Sequence, residues 1–115
     1  MSRSSAEHSA VRRRHHAAVF AALGDETRLG LVGALSAGEA RSIAQLTGGT
    51  RLTRQAVTKH LRVLEGAGIV RSVRQGRESL FSFDPEPVRE MQEYLGKILQ
   101  HWDEVLARLK SLVQS

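Results

Sequence analysis

The chain has 115 residues, about one domain's worth, and its 41% hydrophobic and 25% charged residues are a globular balance that excludes a disordered polyelectrolyte. No apolar run approaches the roughly 20 residues that cross a bilayer, and Met1–Ser9 lacks the apolar stretch of a secretory signal, so a cytoplasmic protein is expected with no membrane partner. Cysteine is absent, which removes disulfides, thiolate metal sites and cysteine redox sensing together, while the formal net charge of +5 favours polyanionic partners.

In chain order, residues 1–10 show no periodicity and are expected to be a mobile tail; residues 11–113 are expected to form one domain. Arg12, Arg13 and Arg14 form a basic cluster ahead of His15 and His16, and Ala17 to Leu23 reads as an alanine-rich helix stopped at Gly24. Asp25 is an N-cap for a second helix striped by Leu29, Val32 and Leu35, with Gly38 as its stop. Gly30 and Gly33 weaken that helix by roughly 1 kcal/mol each relative to alanine, which fits either a close neighbour or mere tolerance. Ser42 and Gln45 have capping-box spacing for a short helix ended by Gly48-Gly49. Thr53 caps the next helix, Arg54 to Ala67, which closes at Gly68.

The period then changes. Ile69–Val73 and Ser79–Phe83 are strands joined across Arg74-Gln75-Gly76-Arg77, a hairpin with a basic tip. Pro85 and Pro87 suit the first turn of a last helix running to about Val113. Its apolar positions Val88, Met91, Leu95, Ile98, Trp102, Val105, Leu109 and Leu112 are spaced 3, 4, 3, 4, 3, 4, 3, a heptad seam that needs a partner. A second copy is the economical cover, because twofold dimers are the commonest oligomer.

The fold class expected is mainly α with a small β-hairpin, a helix-turn-helix with a wing. Val57, His60, Leu61 and Leu64 form the core stripe of its second helix, with His60 as a satisfied core histidine. Gln55, Thr58, Lys59 and Arg62 lie on the opposite face, where no acid interrupts them. Gln suits adenine, Lys and Arg suit guanine, and Thr reaches base or phosphate. Arg51, Thr53 and Arg54 stand at the helix N-terminus, where base-reading side chains project. Arg74 and Arg77 flank the hairpin tip and suit phosphates or a minor groove. Between Arg51 and Arg77 seven basic residues, counting Arg71, meet a single acid, Glu65, whereas the chain after Asp84 is mildly acidic. A polar helix face alone is as well read as solvated surface; joined to a basic hairpin it is better read as a DNA surface.

Three stretches carry a family resemblance: Phe20-Ala-Ala-Leu-Gly-Asp-Glu-Thr-Arg-Leu29, Gln55-Ala-Val-Thr-Lys-His-Leu-Arg-Val-Leu-Glu-Gly-Ala-Gly-Ile-Val70, and the strand Arg77 to Phe83. From about Val19 to Leu109 the chain resembles the ArsR/SmtB family of bacterial winged-helix repressors. The resemblance implies a homodimer built from the first and last helices, here Phe20 with Met91, Leu95, Ile98, Trp102, Val105 and Leu109. It also implies a repressor of its own operon, binding an inverted-repeat operator in double-stranded DNA.

Many such repressors release DNA on binding metal through Asp-x-His, ten residues, then His-x-x-Glu or His-x-x-His on the last helix. Here His101 and Glu104 match the second half, Glu90 replaces the first His and Val88 the Asp. Glu90, His101 and Glu104 are therefore the residual candidates for zinc or nickel across a dimer. Half the pattern is lost, and His and Glu one turn apart are common on solvated helices, so no metal and no cofactor is expected. A small-molecule or protein effector is left open, as is a site joining His15 and His16 to the last helix. No nucleophile elbow, phosphate loop or His-Glu-x-x-His is present, so no enzyme is expected. The rival reading is a winged-helix protein-interaction module.

Overall fold

The computed structural model describes residues 4–114. Its elements run α1 (Ser5–Leu23), α2 (Glu26–Leu35), β1 (Arg41–Ser42), α3 (Ile43–Gly48), α4 (Arg54–Gly66), β2 (Val70–Gln75), β3 (Glu78–Phe83) and α5 (Glu86–Gln114). The three strands form an antiparallel sheet in the order β1-β3-β2. A mainly helical body with a small hairpin wing is the architecture read from the sequence.

The caps explain why the helices start where they do. Asp25 accepts the Arg28 amide at 3.0 Å, and Thr53 accepts the Ala56 amide at 3.1 Å. Ser42 and Gln45 close a reciprocal capping box, with Gln45 N–H donating to Ser42 Oγ at 3.2 Å and Ser42 N–H to Gln45 Oε1 at 2.9 Å. The stop of α4 turns on Gly68, whose φ of 78° suits a residue without Cβ. Gly68 N–H donates to Glu65 O at 3.0 Å and Ile69 N–H to Leu64 O at 3.0 Å, a Schellman pair that turns the chain into β2. At the wing tip Gln75 faces Glu78 across a two-residue turn, and only Gly76 of its central pair has positive φ, 63°, as a type II′ turn requires.

One apolar cluster joins the elements. Val19 and Ala22 of α1, Leu31 and Leu35 of α2, Leu46 of α3, and Val57, Leu61 and Leu64 of α4 meet Ile69, Val70, Phe81 and Met91. Each fully buried Leu, Val or Phe contributes about 1.5–3 kcal/mol relative to its exposed state. The cluster thus seats the helix-turn-helix on α1 and on the first turns of α5.

Several expectations change. The stretch expected as a mobile tail is helical from Ser5, because Ser4 Oγ caps Glu7 N–H at 3.2 Å and Glu7 stands at the positive end of the helix dipole; Met1–Arg3 lie outside the described residues. Met91, expected at a dimer interface, is 6% exposed and belongs to the protomer's own core. The heptad spacing cannot tell those two partners apart, because its early turns lie over the body and the later ones do not. Helix α2 ends at Leu35, and Gly38 instead supplies a φ of 114° in the following loop. A Cβ at Gly30 or Gly33 would meet nothing within 4 Å, so neither glycine serves a close approach.

Candidate nucleic-acid interface

Helix α4 is two-faced. Val57, Leu61 and Leu64 are fully buried, while Arg54, Gln55, Lys59 and Arg62 are exposed and Thr58 is half-buried. No acidic residue stands in the first turn, and Arg51 is exposed in the segment just before it. Two hydroxyls are committed locally: Thr53 caps the helix, and Thr58 donates to Arg54 O at 2.7 Å. A threonine Oγ keeps further acceptor capacity after either bond.

The wing comes up beside the start of this helix. Arg77 is the second residue of the hairpin turn and Arg74 precedes it on β2, both exposed. Arg54 and Arg77 line one shallow groove with Ser42, Ile43, Ala44, Ser79 and a single acid, Glu78. Two arginines that are 23 positions apart in the chain therefore share a surface.

Charge is sorted within the basic segment. Arg62 pairs with Glu65 at 2.7 Å and lies 5.7 Å from the Phe81 ring centroid, turned toward the wing. Glu65 also accepts from Ser72 Oγ, and that bond first, then Arg62, holds its carboxyl below the ordinary range. Arg71 donates to Asp84 Oδ2 from Nε at 3.0 Å and from Nη2 at 2.7 Å. The Glu86 amide is the chief cause that lowers the Asp84 pKa; desolvation opposes it, and the Arg71 guanidinium adds to the lowering. By contrast Arg51, Arg54, Gln55, Lys59, Arg74 and Arg77 have no side-chain hydrogen bond or ion pair among the described residues. The internal pairs withdraw Arg62 and Arg71 from the surplus and leave five cations on the α4 and wing surface.

A second surface lies on α1 and α5. Phe20, Leu95, Ile98, Trp102 and Leu109 are exposed, Trp102 by 55%, and Val105 is half-buried. They share this face with Leu99 and Leu106, which are also exposed.

The histidines are dispersed. His60 is half-buried and accepts from Arg28 at Nδ1, 3.1 Å away, so its polar contact lies between helices instead of inside the core. His15 Nε2 is 3.7 Å from Glu90 Oε2, and His16 stacks on Tyr94 with ring centroids 4.9 Å apart. Both therefore face α5. Glu90 and His101, both on α5, stand 11 positions apart, about 16 Å along one helix, so a single protomer cannot bring them to one metal. No group of three metal-ligating side chains converges among the described residues.

Residue-by-residue reading missed two parts of this surface. It did not find β1, whose two residues pair Arg41 with Phe81 and Ser42 with Leu80 and so brace the wing. Nor did it find the role of Arg28, whose only sequence signal is its place one turn after the Asp25 cap.

Comparison with known proteins agrees with this geometry. A helix-turn-helix domain family model matches residues 23–73. An uncharacterised HTH-type transcriptional regulator of Bacillus subtilis, YuzN, is 39% identical over 80 residues, covering 64% of this chain and 87% of that protein. Among solved structures, an ArsR-like transcriptional regulator from Rhodococcus sp. RHA1 superposes with a TM-score of 0.80 at 34% identity, over 88% of this chain and 94% of that one. A homodimeric winged helix-turn-helix DNA-binding domain from Mycobacterium bovis shares the fold, with a TM-score of 0.68 at 20% identity over 88% of this chain and 93% of that one.

Proposed function

This chain belongs to the ArsR family of winged helix-turn-helix, DNA-binding transcriptional regulators, and we propose that it acts as a homodimeric repressor of its own operon. In this reading α4 lies in the major groove. Gln55, Lys59 and Arg54 read base edges near its N-terminus, Arg51, Thr53 and Thr58 contact backbone or base, and Arg74 and Arg77 hold flanking phosphates or the minor groove. Arg62 takes a lesser share, because it is already paired with Glu65. The protein acts by binding alone, in the cytoplasm, where the DNA is.

The observation that carries this reading is the two-faced α4. Its fully buried residues, Val57, Leu61 and Leu64, are apolar, and its exposed side and the adjoining wing hold five cations without side-chain partners among the described residues. The exposed apolar face on α1 and α5 supports the dimer, and the Mycobacterium bovis domain of the same fold is a homodimer. Two copies related by a twofold axis would present two α4 helices to an inverted repeat.

The test is fluorescence anisotropy with DNA from upstream of the protein's own gene, against scrambled DNA of the same composition, at two salt concentrations. Selective, salt-sensitive binding is expected. Equal binding to both DNAs would overturn sequence-specific regulation and favour the protein-interaction reading.

A further inference from the structure

Arg28 joins the end of α1 to the recognition helix by hydrogen bonds. It stands in the first turn of α2, and all three guanidinium nitrogens are engaged. Nε donates to Ala22 O at 2.6 Å and Nη2 to Ala21 O at 3.3 Å, both among the last carbonyls of α1. Ala21 O also accepts the Gly24 amide that caps α1, at 3.2 Å, and the last carbonyls of a helix form the negative end of its dipole, so a cation suits them. Nη1 lies 3.1 Å from His60 Nδ1 on α4. Arginine only donates, so Nδ1 is the acceptor and Nε2 carries the ring proton. Asp25, whose own carboxylate caps α2, sits 3.9 Å from the same ring nitrogen.

On the side of α4 that faces α1 and α2 the other contacts are apolar, with Val57, Leu61 and Leu64 packed into the core, while the one further polar tie, Ser72 Oγ donating to Glu65, holds the C-terminal end of α4 to β2 and not to α1. Apolar burial is strong but non-directional. It holds the helix down and leaves its rotation and slide weakly determined. A hydrogen bond constrains both distance and angle. His60 is also adjacent in sequence to Lys59, so the bond acts on the turn that presents the exposed polar face.

We propose that Arg28 and His60 form a positioning link that sets the angle of recognition helix α4 against α1, and that selective DNA binding depends on it. This inference rests on the DNA-binding reading above. Neither residue touches DNA. Because α1 belongs to the dimer surface, the link passes the geometry of the dimer axis to the two reading helices.

Three variants test it: His60→Leu removes the acceptor, His60→Asn keeps an amide oxygen near the Nδ1 position, and Arg28→Lys keeps the charge without the three-way fork. Circular dichroism establishes that each is folded; should His60→Leu unfold, Arg28→Lys carries the test. The first readout is the affinity ratio for own upstream DNA over scrambled DNA. Losing one hydrogen bond to a charged group predicts a fall of about tenfold in His60→Leu and Arg28→Lys, with His60→Asn within about threefold of the parent.

The second readout needs no DNA. The chain has no cysteine, so Ala18→Cys on α1 and Val63→Cys on α4, both at exposed positions, accept spin labels selectively. Measured in labelled chains diluted with unlabelled protein, the α1–α4 distance distribution is expected to be narrow in the parent and in His60→Asn. It is expected to broaden in His60→Leu and Arg28→Lys. An unchanged distribution in those two, or equal broadening in His60→Asn, would overturn the link whatever the DNA result. Broadening as expected in a protein that binds both DNAs equally would uphold the link and sink the DNA-binding reading instead.

Discussion

Gln55 and Arg62 look equivalent in the sequence, about two helical turns apart on one polar face, and the structure separates them. Among the described residues Gln55 has no side-chain partner, whereas Arg62 is paired with Glu65 and packed near Phe81. Gln55→Ala is therefore expected to lower operator affinity by about 1–3 kcal/mol, with an unchanged melting temperature. Arg62→Ala is expected to lower both, because it also frees Glu65 and strips cover from the wing. Anisotropy and thermal denaturation together check the contrast; equal melting losses in both variants would contradict it. The difference was not legible in the sequence, since the Arg62 partner depends on which way a long side chain turns, and Glu65 is steadied by Ser72 from β2. Glycine was half legible. The helix containing Gly33 was expected, but whether a neighbour crowded it was not. With open space at its Cβ position, Gly33→Ala is expected to stabilise the protein by roughly 0.5–1 kcal/mol, read as a rise in melting temperature.

At the scale of elements, the parts with local signals were readable. The α2, α3 and α4 caps, the Gly68 stop and the Gly76 turn each arise from a few adjacent residues. β1 was not, because two residues become a strand only through pairing with β3, some 40 positions later. The junctions also carry the acid response. Asp25 caps α2, Glu65 ties α4 to β2, and Asp84 joins the wing to α5. The Arg28 amide first lowers the Asp25 pKa; Ser72 does so for Glu65, and the Glu86 amide for Asp84. A carboxylate whose folded pKa is depressed adds stability that is present above its unfolded pKa and lost as pH falls through the folded one. The melting temperature is therefore expected to lose this contribution progressively below about pH 4, near the ordinary carboxylate values, with no change from these groups between pH 6 and 8. Asp84→Asn should flatten part of the acid limb. A limb of the same steepness in that variant would show that the acid response lies elsewhere.

The whole molecule combines two surfaces whose separate readings must agree. After Met91, α5 contributes no further buried residue to the protomer, although it continues to Gln114. Trp102→Ala is accordingly expected to weaken self-association while leaving the protomer folded, seen as a shift toward monomer in sedimentation at low micromolar concentration. DNA binding should weaken with it, because one protomer reads only one half-site. In a twofold dimer, half-sites one helical turn apart, about 34 Å, would engage both α4 helices together. The wing then makes a quantitative demand. If Arg74 contacts phosphate, Arg74→Ala removes one contact per protomer and two per dimer. At about 0.9 counterions released per phosphate neutralised, the slope of log affinity against log salt should become shallower by about 2. The loss in affinity should be nearly equal for own and scrambled DNA, since phosphates carry no sequence. A slope changed by only about 1 would mean that a single wing is engaged on each DNA. An unchanged slope would remove Arg74 from the interface and leave reading and holding alike to α4.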